Sequence, residues 1–210
     1  EFDSKQLEET ELDLLSLPEG ALGPSTTKAY SLIQGDFFLE APRLPAETYD
    51  VVITDPPYGI EIHKDTLWDG EKHEYDDSEE TFDKMIDVLA AQSYRVTKPK
   101  AHAYVFCDIR RWERLFVAFE VAGWRVWGRP MIWDKGNTGS FGDAAHGPRA
   151  TYDAILYAIK GEKEVAFHAK DVISIAQPTI GAHPASKPAD LYTELLRRSV
   201  YPGDQIVDFF

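Results

Sequence analysis

The chain has 210 residues, enough for one domain with a hydrophobic core of its own. The sequence contains no apolar run long enough for a membrane-spanning helix and no secretory signal pattern, so we expect no membrane partner. The single cysteine, Cys107, cannot form an intrachain disulfide. This composition predicts a protein of the reducing cytoplasm.

The formal net charge is −14, and it is distributed unevenly. Residues 1–19 hold seven acidic residues and one lysine, and residues 61–87 hold eleven acidic residues and three lysines. These two stretches account for the whole excess. Between residues 95 and 135, nine Lys and Arg stand against four acidic residues, which is typical of segments that meet phosphates. The overall acidity therefore does not exclude a nucleic-acid partner.

The first 28 residues are acidic and rich in turn-forming residues, which predicts a mobile arm or a short docking helix. A folded domain is predicted over residues 29–210. It opens with a strand over 29–33, which ends at a Gly-Asp turn. Asp36 follows this strand directly and has a carboxylate that can accept from an adenine amino group or a ribose. A plain turn-forming role is the alternative.

The next strand ends in an unusual loop. Val51 to Ile53 form a β-branched run typical of a buried strand. Pro56 and Pro57 then fix the backbone and supply no N–H, so the chain leaves the sheet there. Asp55 and Tyr58 are thus predicted on a stiff loop at the carboxyl end of a strand, where open α/β sheets bind ligands.

This loop combines several acceptors with an aromatic ring. The Asp55 carboxylate and the neighbouring carbonyls, including that of Pro56, accept hydrogen bonds without a competing donor. That arrangement suits an exocyclic amino group, and the Tyr58 ring can stack on the base that carries it. The alternative is a proline turn that follows a strand and carries a solvated aspartate.

The polar segment 60–80 reads as an excursion that either closes over a substrate or is a solvated insertion. Trp68 is its candidate substrate contact, and its histidine spacings match no metal site. Hydrophobic periodicity and turn signals then predict helices and strands in alternation: a helix over 81–96, a strand over 101–107, a helix over 110–121, a strand-like run over 124–133 and a strand over 152–160. Lys135, Asn137 and Arg149 flank or lie in the glycine-rich loop between the last two.

A second motif stands near the end of the chain. His183-Pro184-Ala185-Ser186-Lys187-Pro188 precedes a predicted helix over 189–199. Pro202-Gly203-Asp204 then turns into a predicted strand over 205–210, which ends in Asp208-Phe209-Phe210.

Together the Asp-Pro-Pro-Tyr loop, the Trp133-Asp134-Lys135 segment and the second motif resemble the β class of DNA amino-methyltransferases. The resemblance covers roughly residues 30–210. It implies an α/β fold: a Rossmann-like methyltransferase sheet with helices on both faces, in permuted order, with 134–161 as an edge hairpin. In that family the chain continues into a glycine-rich turn, so the fold is expected to be incomplete at the C-terminus.

The resemblance also implies a function. Such enzymes transfer a methyl group from S-adenosylmethionine to an amino group of a flipped base in double-stranded DNA, as in restriction-modification, and they need no metal. Aspartate rather than serine at position 55 points to adenine N6 over cytosine N4. The implied site residues are as follows: catalytic Asp55, Pro56, Pro57 and Tyr58; cofactor-binding Asp36, His183, Ser186, Lys187, Asp208, Phe209 and Phe210; DNA-binding Trp68, Lys135, Asn137 and Arg149.

Two departures keep other functions open. The chain stops at Phe210, before the glycine turn, so by itself it should bind the cofactor poorly. Only 21 residues separate Gly161 from His183, where the class usually carries its target-recognition region. A methyltransferase-like binding module that has lost catalysis is one alternative, and methylation of cytosine N4 or of RNA is another. The oligomeric state also stays open.

Overall fold

The computed structural model describes residues 30–59, 79–136, 145–177 and 186–210. The chain divides into two compact units, residues 1–35 and residues 36–210. In the first unit, residues 30–35 form neither helix nor strand, so the strand predicted over 29–33 is wrong for its described part. A strand needs a neighbour for its backbone groups, and Leu32, for example, is 87% exposed. The predicted domain boundary after residue 28 stays a prediction.

The second unit contains helices and strands in mixed order. In chain order they are α1 Phe37–Glu40, a 3₁₀ turn Ala41–Arg43, β1 Tyr49–Thr54, α2 Glu79–Val96, β2 Thr97–Cys107, a 3₁₀ turn Ile109–Arg111, α3 Trp112–Ala122, β3 Arg125–Val126, β4 Met131–Asp134, β5 Tyr152–Lys160, β6 Val172–Ser174, α4 Ala189–Leu196 and β7 Ile206–Val207. Among the described helices, none has both the length and the apolar composition needed to cross a bilayer.

The described strands form a single sheet in the order β6-β4-β5-β2-β1-β7, and β3 also pairs with β5. β1 runs parallel to β2 and β7, β6 runs parallel to β4, and β5 is antiparallel to both β2 and β4. The carboxyl ends of five strands, β1, β2, β4, β6 and β7, therefore lie along one edge together with the amino end of β5. We call this edge the carboxyl edge.

Helices cover both faces of the sheet, as predicted. On one face, α2 and α3 contribute Ile86, Leu89 and Phe119 to a core that includes Val52. On the other, α4 packs against residues that alternate with these along the strands; Val51, Ile53, Tyr104, Phe106, Leu191 and Leu195 belong to this second core. The alternation follows from the period of two along a strand, so the continuous apolar run of β1 serves both cores.

Three strand predictions need correction. The hairpin of β4 and β5 exists, but it is not at an edge, because β6 pairs on the outside of β4. The run predicted over 124–133 is divided into β3 and β4, since Gly128 and Pro130 interrupt it. The strand predicted over 205–210 contains only the two residues of β7.

Many cationic side chains of the basic stretch over 95–135 are paired with carboxylates of the same chain. In the described part of the chain, five of its nine cationic side chains form ion pairs with carboxylates: Lys98, Arg110, Arg114, Arg129 and Lys135. A carboxylate beside a cation cancels much of its field at a distance. The sequence count therefore overstates the positive charge available to a phosphate backbone.

Candidate active site

The loop 55–59 leaves β1 at the carboxyl edge and is held from several sides. Gly59 has a φ of +61°, and a Cβ there would come within 2.6 Å of the Phe82 side chain. Both facts require glycine. The guanidinium of Arg111 donates a 2.7 Å hydrogen bond to the Gly59 carbonyl and lies over the Phe82 ring. Pro56 is buried. The loop is therefore fixed relative to α2 and to the turn before α3.

Both oxygens of the Asp55 carboxylate are engaged. Oδ1 accepts a 2.8 Å hydrogen bond from the hydroxyl of Tyr58. Oδ2 forms an ion pair and hydrogen bond with Nζ of Lys187. The Lys187 side chain is 5% exposed and that of Asp55 is 26% exposed. The ammonium also lies 5.5 Å from the ring centroid of Tyr58 and 4.9 Å from that of Phe106.

The Tyr58 hydroxyl remains a hydrogen-bond donor at any working pH. Burial raises its pKa well above the ordinary value, and the negative charges of Asp55 and Asp153 raise it further. The ring is half-buried and packs against the α4 side of the sheet. Tyr58 thus serves in this structure as a fixed O–H donor to Asp55.

A second carboxylate approaches Asp55 from the neighbouring strand. Thr54 Oγ1 donates a 2.7 Å hydrogen bond to Asp208 Oδ1 and accepts one of 3.1 Å from the backbone N–H of Phe209. Desolvation raises the pKa of Asp208, and the charge of Asp55 adds to the rise, while hydrogen bonds to its carboxylate oppose it. The end of β7 is therefore tied directly to Thr54, the residue that precedes the loop 55–59.

Asp36 lies at the start of α1. Its Oδ1 accepts a 2.8 Å hydrogen bond from the Phe38 N–H, so it caps the helix. The adjacent Phe37 ring contacts Phe209 and Phe210 at centroid distances of 5.8 and 4.8 Å. The structure therefore brings the segment of Asp36 beside the predicted cofactor residues at the end of the chain.

The other predicted site residues are placed as follows. Lys135 follows β4 at the carboxyl edge, but its ammonium forms a 2.8 Å ion pair with Asp153, and both side chains are largely buried. Ser186 and Arg149 are half-buried. Trp68, Asn137 and His183 lie outside the described residues. Asp55, Tyr58, Lys187 and Asp208 do come together, and the roles assigned to all these residues stay predictions.

Sequence reasoning missed Tyr192 and Thr54. Burial raises the pKa of Tyr192 to about 12, and the negative charges of Asp55 and Asp208 contribute to the rise. Its ring also contacts Phe106 at 5.6 Å between centroids. One signal was available: Thr54 is a hydroxyl residue that ends a buried apolar strand immediately before Asp55.

The comparisons with known proteins bear on this geometry. The sequence profile of the N6/N4 family described as DNA methylase matches residues 49–210, which include the whole sheet. The chain belongs to the N6/N4 DNA methylase family. A relative is the DNA adenine methyltransferase YhdJ of Escherichia coli (strain K12), 23% identical over 146 residues. That match covers 70% of this chain but only 46% of YhdJ, so the chain spans less than half of that relative's length.

Solved structures agree with the fold of a DNA methylase. The protein in the M1.HpyAVI–SAM complex is 20% identical in sequence and matches with a TM-score of 0.56. The match covers 84% of this chain and 79% of that one. The cytosine-N4-specific PvuII DNA methyltransferase is 16% identical, with coverages of 83% and 71% and a TM-score of 0.63. The Rossmann-like methyltransferase sheet predicted from the motifs is therefore confirmed.

Proposed function

We propose that this DNA methylase transfers a methyl group from S-adenosylmethionine to N6 of adenine in double-stranded DNA. The observation that carries the proposal is the loop 55–59, fixed at the carboxyl edge with Asp55 presented as a hydrogen-bond acceptor. Family membership and the adenine specificity named for YhdJ support it. We expect the enzyme to act in the cytoplasm, without a membrane or metal partner.

The residues at the carboxyl edge fit S-adenosylmethionine, the ligand named for M1.HpyAVI. Asp36 and Asp208 can accept from amino and hydroxyl groups, and Phe209 and Phe210 offer apolar surface to a purine. When bound, the cofactor supplies an electrophilic methyl group on a sulfonium.

The chain's own contribution is to prepare the acceptor nitrogen. The lone pair of an adenine amino group is delocalised into the ring, which makes the nitrogen a poor nucleophile. The Asp55 carboxylate and the Pro56 carbonyl can accept hydrogen bonds from the two N–H groups of this nitrogen. These hydrogen bonds favour the pyramidal form, in which the lone pair is localised. A fixed acceptor needs little reorganisation during the reaction, which is where catalysis by preorganised groups gains most.

The base must leave the duplex to reach this loop. We infer that it is flipped out and that the Tyr58 ring contacts its face, because chemistry on a base inside the stack is sterically excluded. The hydroxyl of Tyr58 would keep its bond to Asp55 while the ring meets the base. Lys135 and Arg149 stay our candidate DNA contacts on the carboxyl edge.

The test is the identity of the methylated nucleoside. The complete protein is incubated with unmodified DNA and S-adenosylmethionine carrying a labelled methyl group, and the DNA is digested and separated by chromatography. We expect label in N6-methyldeoxyadenosine. Asp55→Ala should abolish the label while cofactor affinity, measured by calorimetry, changes little.

Other outcomes assign other functions. Label in N4-methyldeoxycytidine would transfer the proposal to cytosine. Cofactor binding without DNA methylation, together with methylation of RNA, would change the substrate. A complete protein that binds no cofactor would be a methyltransferase-like binding module. Full turnover by Asp55→Ala would refute the catalytic role of the loop.

A further inference from the structure

Lys187 occupies an unusually constrained position for a lysine. Its side chain is 5% exposed, and its ammonium contacts the Asp55 carboxylate and the faces of two aromatic rings, Tyr58 and Phe106. Taking an ammonium out of water is costly unless a carboxylate and further favourable contacts replace the lost hydration. Aromatic faces supply such contacts through their quadrupoles. The packing therefore specifies where the charge lies.

The two groups that hold Asp55 act together. Tyr58 donates to Oδ1 and Lys187 pairs with Oδ2, so neither oxygen can rotate away from its partner without leaving a buried polar group unsatisfied. A carboxylate oxygen accepts more than one hydrogen bond. Asp55 can therefore remain fixed by both partners and still accept from a substrate amino group.

This contact differs from the role that the family resemblance implies for Lys187, which is binding of the cofactor. The ammonium bonds to Asp55 on the loop 55–59 and lies over the rings of Tyr58 and Phe106. We propose that Lys187 is a positioning residue: it acts on the acceptor amino group through Asp55 and Tyr58. The inference rests on the proposed methyltransferase function and assigns Lys187 a place in it.

The first experiment measures the pair without any substrate. Urea unfolding is compared for Asp55→Asn, Lys187→Met and the double variant of the complete protein. We expect the double variant to lose less stability than the sum of the single losses, because the groups are in direct contact. The matched control is Lys98→Met, which removes a Lys–Asp pair with Asp50 at the opposite edge of the sheet. When Lys98→Met is combined with Asp55→Asn, the two losses of unfolding free energy should add. Additive losses for Asp55→Asn and Lys187→Met would overturn the proposal.

The second experiment separates positioning from cofactor binding. Misplacing a reacting group costs about 100-fold in rate, so Lys187→Met should lower kcat by about that factor. Its Kd for S-adenosylmethionine should stay within roughly threefold of the wild type, since a tenfold change would already equal the loss of a whole charged contact. Lys187→Arg, which keeps the charge, should recover part of kcat. Lys98→Met should retain the wild-type kcat.

Decarboxylated S-adenosylmethionine provides the decisive comparison. If Lys187 instead held the cofactor carboxylate, Lys187→Met would weaken binding of S-adenosylmethionine and leave the Kd of the decarboxylated compound unchanged. That result would overturn the proposal. A wild-type protein that transfers no methyl group, yet shows non-additive unfolding, would refute the proposed function and the catalytic role with it, while the Asp55–Lys187 pair would stand.

Discussion

Acidification should destabilise this protein through a histidine far from the candidate site. His102 is fully buried in β2. Its Nε2 lies 3.2 Å from the Lys163 carbonyl and its Nδ1 lies 2.7 Å from Ser199 Oγ. Because a carbonyl only accepts, Nε2 carries the proton, and Ser199 donates to Nδ1. The hydroxyl of Tyr104 lies 2.6 Å from Ser199 Oγ and therefore donates its proton to that oxygen. All these groups are satisfied while the imidazole is neutral.

The magnitude follows from the pKa. Burial is the largest cause that lowers the pKa of His102 from 6.5 to about 4. The nearby Lys163 ammonium contributes to the decrease, and the hydrogen bond to the Lys163 carbonyl opposes it. The unfolded chain therefore binds the proton more tightly than the folded one. The contribution of neutral His102 to the free energy of unfolding is fully present above pH 6.5, and it is lost progressively as the pH falls from 6.5 to 4. At about 1.4 kcal/mol per pKa unit, the loss approaches about 3 kcal/mol once the pH has fallen to about 4.

The assay is urea unfolding between pH 7.5 and pH 4 for the wild type and for His102→Asn. The asparagine amide keeps a hydrogen-bonding group beside Ser199 but does not titrate. Because the carboxylates are common to both proteins, the difference between the two free-energy curves isolates the histidine. Parallel curves of unfolding free energy against pH for the two proteins would refute the reasoning. A wild type that gains stability relative to His102→Asn on acidification would show that the sign of the predicted pH dependence is wrong.

Three further predictions concern packing and the loop. Gly59→Ala should lower the unfolding free energy by about 1–3 kcal/mol, since it combines strain at positive φ with a steric clash. Gly136→Ala, at a similar φ but with no described atom within 4 Å of its Cβ, should cost less in the same urea titration. Tyr58→Ala should weaken base flipping, and an unchanged 2-aminopurine fluorescence signal in target DNA would argue against that contact. Leu191→Ala removes a fully buried side chain of α4 and should cost about 2–5 kcal/mol; a loss below 1 kcal/mol would contradict its place in the core.

The sequence predicts an element most accurately where one short segment contains both the hydrophobic pattern of that element and the residue that ends it. β5 spans Tyr152 to Lys160 as predicted, because a continuous apolar run stops at Gly161, which has a φ of +60°. The loop 55–59 is similarly local, since its two prolines alone force the chain out of the sheet. Such elements need no information from elsewhere in the chain.

Elements that depend on distant partners escaped prediction. β6 has three residues, of which only Ile173 is buried, so its pattern is too short to detect before β4 is known to lie beside it. Lys187 and Asp55 are 132 residues apart. Their motifs were recognised separately, but no spacing rule joins them. The contact that fixes Asp55 is therefore visible only in three dimensions.

The tie between β1 and β7 has a consequence for how the protein matures. Thr54 and Asp208 are 154 residues apart, and the two strands share only two ladder positions. Closing so long a stretch of chain costs entropy that two positions repay only after the rest of the sheet exists. We expect this joint to form late, so that Asp55 emerges from the ribosome long before its surroundings are complete. Until residues 205–210 dock, a nascent chain would therefore carry the loop 55–59 without the hydrogen bond between Thr54 and Asp208.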